Sequence, residues 1–248
     1  MQIAIVLYPG VTALDAIGPY EFLRSLPGAE IRFVGPEPGP VVADSGVLFL
    51  GVTHTYAETP RPDIVLVPGS GPSTASAMAD TALIDWLRRV HETTQWTTSV
   101  CTGALILATA GILTGKPATT HWTVQRALGA LGAEPRPEER IVRSGKVATA
   151  AGVSAGLDLG LWLVGEIAGR DHAEMVQLYI EYDPQPPFDS GHPSKARKEI
   201  TDRAFALSRK IAFTPSQMRA GAVVAWRQTV ERFRTRHAGT ARRGYSGS

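Results

Sequence analysis

The sequence predicts an α/β domain built on a parallel central sheet covered by helices on both faces. Short, almost wholly apolar runs bounded by turn residues recur along the chain, as buried parallel strands require. Helical patterns separate these runs. The 248 residues are 44% hydrophobic and 19% charged, which suits one such domain with a short appendage and a core that needs no disulfide or metal.

Ile3 to Leu7 is the first apolar run and ends at Pro9-Gly10. It reads as a buried strand rather than a secretory leader, because no basic region precedes it and no long apolar stretch follows. Ile31 to Val34, Asp63 to Val67 and the β-branched Thr97 to Val100 read the same way. Val47 to Tyr56 reads as extended, with Gly51 predicting a bulge or bend. Arg140 to Arg143 and Lys146 to Thr149, around Ser144-Gly145, predict a hairpin.

Helices are expected over Leu14 to Leu23, Thr81 to Val90, Gly103 to Ala110, Val124 to Leu131, Ala155 to Ile167 and His172 to Tyr182. In the second of these, Leu83, Ile84, Leu87 and Val90 share one face opposite Arg88 and Arg89. The Pro-rich stretch Asp183 to Pro193 reads as a connector. Beyond it, Lys195 to Ile211 and Pro215 to His237 read as two helices, the second capped by Thr214 with proline at its first position. Ala238 to Ser248 is expected to be disordered. The expected units are therefore a catalytic domain over 1–190, a helical extension over 191–237 and a tail over 238–248.

Composition limits the function classes. Cys101 is the one cysteine, so no intrachain disulfide forms, and the six histidines show no zinc-ligand spacing. No uncharged apolar stretch reaches the roughly 18–20 residues of a membrane span. Residues 195–248 hold 13 of the 25 Lys and Arg but 3 of the 23 acidic residues, a net +10 against −8 for the rest. Such asymmetry can mark a nucleic-acid tail; the reading preferred here is a basic helical extension packed on an acidic body, with no nucleic-acid or membrane partner. A cytoplasmic location is expected.

The chemistry concentrates around Cys101. A buried strand runs into it, and the small-residue helix of CTGALILATAGIL begins at once. That is a nucleophile elbow at the carboxyl end of the sheet, where open α/β folds bind ligands. The helix N-terminus is expected to lower the thiol pKa, and Gly103 to permit the tight turn. The bland alternative is an inert buried cysteine.

Asp15, in VTALDAIGPYEFL, opens the first helix at the same end of the sheet and is the candidate acid and base; shielding from water would raise its pKa. The alternative is an acid that merely favours a helix N-terminus. Gly69, Ser70 and Gly71, in PGSGPS, follow another core strand. The backbone N–H groups of Ser70 and Thr102 are candidate oxyanion donors there; otherwise PGSGPS is only a tight turn, and its spacing is not that of a dinucleotide loop. His121, in ATTHW, either positions substrate or bonds a neighbouring loop.

Together LDAIGPYEFL, DIVLVPGSG, TSVCTGALILATAGIL, ATTHW and VQLYIEYDPQPPFDSG resemble the ThiJ/PfpI superfamily over about residues 1–190, and within it the isocyanide hydratases. The resemblance implies a flavodoxin-like, class I glutamine amidotransferase-like three-layer sandwich, a homodimer and no cofactor. It implies a small-molecule isocyanide substrate, with Cys101 attacking the terminal carbon of R–N≡C. Asp15 would supply the proton, and a thioimidate would then hydrolyse to an N-substituted formamide. Thr102 resembles the family residue that bonds near the catalytic acid.

The chain departs from its relatives at three points. Thr102 stands where peptidase-like relatives have His, which counts against a protease. Asp15 stands where many have Glu, and Ser70 replaces the second Gly of a Pro-Gly-Gly turn. The basic C-terminal extension is longer than the family needs. Two other readings compete: the ligand-sensing module of a transcription regulator, which shares the CTG and TTHW segments, and another thiol chemistry of glyoxalase or thiol-stress type. About 55 residues follow the connector, too few for the paired helix-turn-helix region of such regulators.

Overall fold

A computed structural model describes residues 1–212, 215, 217–227 and 229. Strand β1 (Gln2–Val6) leads through helix α1 (Ala13–Leu23) to β2 (Glu30–Gly35), which pairs parallel with β1. Strands β3 (Gly39–Val42) and β4 (Phe49–Val52) form a separate antiparallel ribbon, and β5 (His54–Thr55) rejoins the sheet beside β2. Strand β6 (Ile64–Val67) then pairs parallel on the other side of β1. Helices α2 (Thr74–Ala79) and α3 (Thr81–Thr93) lead to β7 (Trp96–Val100), parallel to β6.

Helix α4 (Gly103–Thr109), strand β8 (Pro117–Ala118), a 3₁₀ turn at Trp122–Val124, α5 (Gln125–Ala130) and β9 (Glu134–Pro135) follow. The hairpin of β10 (Ile141–Ser144) and β11 (Val147–Ala150) docks β11 parallel to β7. Helices α6 (Ala155–Ala168), α7 (Arg170–Tyr179) and α8 (Lys198–Ala212) complete the order. The seven-stranded sheet runs β10-β11-β7-β6-β1-β2-β5, parallel except for β10. This is the expected flavodoxin-like architecture, with helices beyond it at the C-terminus.

Apolar runs become central strands because both faces of the sheet are covered. All four residues of β6 are fully buried, and each such side chain contributes about 1.5–3 kcal/mol. Helix α1 packs on α6, and α4 on α2, α3 and α5. Asp80 caps α3 by accepting from the Ala82 and Leu83 amides at 2.9 and 3.3 Å, and the predicted Leu83, Ile84, Leu87, Val90 face is buried.

The structure corrects several expectations. Gly51 forms no bulge; it stays in register opposite Pro40, and the chain changes sheets after Val52. The helix expected over His172 to Tyr182 begins at Arg170 and ends at Tyr179, just before Glu181 takes a φ of 51°. Strand β3 and helix α2 carry no apolar periodicity strong enough to announce them. Residues 217–227 are helical, within the second expected C-terminal helix. Its Thr214 cap and the tail over 238–248 lie outside the described residues. No helix among the described residues is long and apolar enough to cross a membrane.

Candidate active site

Three loops meet at the carboxyl edge of adjacent strands. The chain leaves β1 toward β2 on one side and returns to β6 on the other, so a crevice opens between β1 and β6. The segment after β1 brings Asp15, the turn after β6 brings Gly69 to Gly71, and the end of β7 brings Cys101.

Cys101 has a φ of 58°, one of two positive values among the described non-glycine residues. Such a conformation costs of order 1–3 kcal/mol and persists only where neighbours hold it. Two hydrogen bonds do so: the Cys101 amide donates to Ala150 O at 3.1 Å, and Thr120 Oγ1 donates to Cys101 O at 2.8 Å. Gly103 is required next, because a Cβ there would collide with the Val67 carbonyl oxygen.

Asp15 lies in the first turn of α1 and is fully buried. Its Oδ2 accepts from the Gly69 amide at 2.9 Å. Oδ1 meets no donor at full hydrogen-bond geometry, so the Cys101 thiol is the polar group left in range of the carboxyl. Burial lifts the carboxyl from 3.8 to about 7, with the Asp44 charge adding to the rise; the Gly69 amide and the thiol act the other way.

The expected lowering of the thiol pKa does not occur. Burial raises Cys101 well above its ordinary value, and the neighbouring Asp15 charge raises it further. Hydrogen bonding by Thr102 opposes this but does not overcome it. The N-terminus of a seven-residue helix does not replace the water lost from the sulfur. The resting pair is a thiol beside a carboxyl poised near neutrality.

Thr102 and Ser70 exchange hydrogen bonds. The Ser70 amide donates to Thr102 Oγ1 at 2.8 Å, and Thr102 Oγ1 donates to Ser70 O at 3.0 Å. Thr74 Oγ1 also donates to Ser70 O and lies 2.7 Å from Thr102 Oγ1. The Ser70 amide is thus committed to Thr102 rather than open to an oxyanion, and the Thr102 backbone stands where it favours an ionised sulfur. Ser70 needs no left-handed φ, and its hydroxyl bonds Gly10 O at 2.5 Å, tying the turn after β6 to the loop after β1.

A cavity of about 470 Å³ opens above Cys101. Thr102, Ser70, Gly71 and His121 line it; Gly69 and Asp15 stand behind that layer. His121 stands where the cavity meets the 3₁₀ turn at Trp122–Val124. It lines the cavity, and its Nδ1 accepts from the Thr123 amide at 3.4 Å, which caps the 3₁₀ turn and assigns the ring proton to Nε2. Burial lowers its pKa and so favours the neutral ring.

A family model described as the DJ-1/PfpI family matches residues 1–166. The chain belongs to the DJ-1/PfpI family. An isonitrile hydratase of Pseudomonas putida is 42% identical over 204 residues, 82% of this chain and 88% of that protein. The crystal structure of a ThiJ/PfpI family protein from Pseudomonas syringae superposes with a TM-score of 0.83 at 36% identity, covering 90% of each chain. An HTH-type transcriptional regulator of Pseudomonas aeruginosa is 32% identical over 188 residues, 69% of this chain and 52% of the regulator.

Within this DJ-1/PfpI site, sequence reasoning missed Thr74, Thr12, Asp44 and Tyr8. Thr12 Oγ1 donates to Asp44 Oδ2 at 2.6 Å on the cavity wall, and Tyr8 OH donates to Pro68 O at 2.9 Å. None carries a local motif, and each has a partner at least 28 residues away.

Proposed function

We propose that this DJ-1/PfpI chain is an isocyanide hydratase, a hydro-lyase that adds water to R–N≡C to give R–NH–CHO. The observation that carries the reading is the buried Asp15 carboxyl, lifted to about 7, directly behind the cavity-lining thiol of Cys101. The 42% identity to an isonitrile hydratase over most of both chains supports the substrate class.

The residues suit a one-proton cycle. Asp15, as carboxylate, takes the proton of the Cys101 thiol. The thiolate sulfur bonds the terminal isocyanide carbon, and Asp15 returns the proton to that carbon, giving the thioimidate R–N=CH–S. Water then adds to the carbon of the C=N bond, and Asp15 takes one proton from the water and passes it to the nitrogen. Asp15 next takes the remaining hydroxyl proton as the carbonyl forms and the C–S bond breaks, and returns it to the departing sulfur, which restores the thiol and the carboxylate. A carboxyl near neutrality suits both halves of this traffic. Thr102 holds the turn after β6 and favours the ionised sulfur. Ser70, Gly71 and His121 form substrate-facing walls, and Gly69 positions Asp15.

We place the catalytic unit at 1–190 and the extension at 191–237, in a cytoplasmic homodimer. A single thiol that must stay reduced fits a reducing compartment. Exposed Phe49 and Leu178 offer apolar surface to a second copy.

An ultraviolet assay with a bulky aryl isocyanide tests the reading. Wild type is expected to produce the formamide, and Cys101→Ala to produce none. Turnover by Cys101→Ala at the wild-type rate would overturn the covalent scheme. The likeness to a transcriptional regulator favours a sensing role as the second reading; salt-dependent DNA binding without isocyanide turnover would favour that role instead.

A further inference from the structure

The wall of the cavity opposite the sheet comes from outside the residues that the family model matches. Helix α8 contributes Ala204, Leu207, Ser208, Ile211 and Ala212. Their spacing of three and four residues puts them on one helical face. None is charged, whereas Asp202, Arg203, Arg209 and Lys210 occupy the rest of the surface.

Several contacts fix this helix over the site. Phe205 meets Trp122 with ring centroids 6.0 Å apart, and Ser208 Oγ donates to Thr123 Oγ1 at 3.4 Å. Beyond α8, Gln217 Nε2 donates to Ser76 Oγ at 2.8 Å and Arg227 Nη1 to Ala79 O at 2.7 Å. The helix comes so close to the turn after β6 that a Cβ on Gly71 would lie 3.0 Å from Ile211 Cγ2. Leu105, Met78 and Val153 continue the apolar lining, and Asp44 is its single Asp, Glu, Lys or Arg side chain among the described residues.

We propose that Leu207 and Ile211 are specificity-determining residues, and that this face of α8 selects isocyanides whose R group is uncharged, apolar and several carbons long. The inference rests on the hydratase reading and deepens it. The sulfur and carboxyl act on the N≡C group at the cavity floor; the R group extends from nitrogen toward the open volume, where α8 meets it. About 470 Å³ is far more than a methyl group fills, and falls in the roughly 300–1,000 Å³ range of sites that enclose larger ligands.

The test compares benzyl isocyanide with methyl isocyanide in wild type, Leu207→Ala, Ile211→Ala and, as a control on the solvent side of α8, Glu199→Gln. Each alanine variant is expected to lower the benzyl-to-methyl ratio of kcat/KM about tenfold, mainly through KM for the benzyl substrate. Glu199→Gln is expected to keep the wild-type ratio. Ratios within twofold of wild type in both alanine variants, with wild-type circular dichroism, would overturn the proposal.

Calorimetric titration with N-benzylformamide and N-methylformamide separates the two ideas. If wild type hydrates neither isocyanide, the hydratase reading fails. The wall then stands only if the alanine variants lose affinity for the benzyl compound selectively; equal or absent binding overturns it as well.

Discussion

The Gly69 amide donates to Asp15 Oδ2 at 2.9 Å, and a Cβ on Gly69 would lie 2.9 Å from that same oxygen. The turn after β6 thus comes within reach of the carboxyl only because residue 69 has no side chain. That Cβ would also sit 2.5 Å from the Thr102 amide nitrogen, which is backbone and cannot swing aside. Gly69→Ala is expected to cost about 2 kcal/mol or more in urea unfolding. Its kcat should fall further than the loss of stability alone explains.

Asp15→Asn should make the protein more stable at alkaline pH while depressing turnover. The folded-state pKa of about 7 lies above the ordinary 3.8, so the fold binds this proton more tightly than the unfolded chain does. Stability therefore falls as pH rises from about 4 to about 7, and above 7 the buried charge costs at most about 4 kcal/mol. Asn keeps an acceptor for Gly69 and carries no charge. Denaturation at pH 8 should show the variant ahead of wild type, and the gap should close near pH 4.

The pH dependence of kcat/KM should follow the same carboxyl. Asp15 must be ionised to take the thiol proton, so kcat/KM is expected to rise through about pH 7 and to decline below it. The thiol and carboxyl titrate as a pair, so the apparent value belongs to both. A profile flat from pH 5 to 9 would remove Asp15 from the rate-determining proton transfer.

Thr102→Val should leave the Ser70 amide buried without an acceptor. The lost pair of bonds at 2.8 and 3.0 Å predicts a destabilisation of about 1–3 kcal/mol. Iodoacetamide alkylation of Cys101 should shift to higher pH, because a group that favours the thiolate has gone. Thr102→Ser should restore both readouts.

Cys101→Gly should be more stable than Cys101→Ala by about 1 kcal/mol, since only glycine accepts a φ of 58° without strain. Urea midpoints compare the two. Equal stabilities would mean that the elbow stores no backbone strain.

Much of the fold was legible. Ile64 to Val67 could only be a doubly covered strand, and Leu83, Ile84, Leu87 and Val90 could only be one helical face. Cys101 and Asp15 were legible because each sits at a strand-to-helix transition. Strand β3 was not, and although β4 lies within the extended stretch Val47 to Tyr56, the pairing of the two was not, because it is decided by the partner strand. The split of 47–56 between two sheets was hidden for the same reason.

By itself the sequence determined the alternation of the central strands with helices, the end of the sheet at which Asp15 and Cys101 meet and the family to which the chain belongs. These follow from local periodicity and turn chemistry, which act over a few residues. Only the tertiary structure decided that the thiol is held un-ionised, that the Ser70 amide serves Thr102 and that α8 roofs the cavity. Each of these depends on desolvation or on hydrogen bonds between distant segments, and both are properties of the packed space rather than of any stretch of chain.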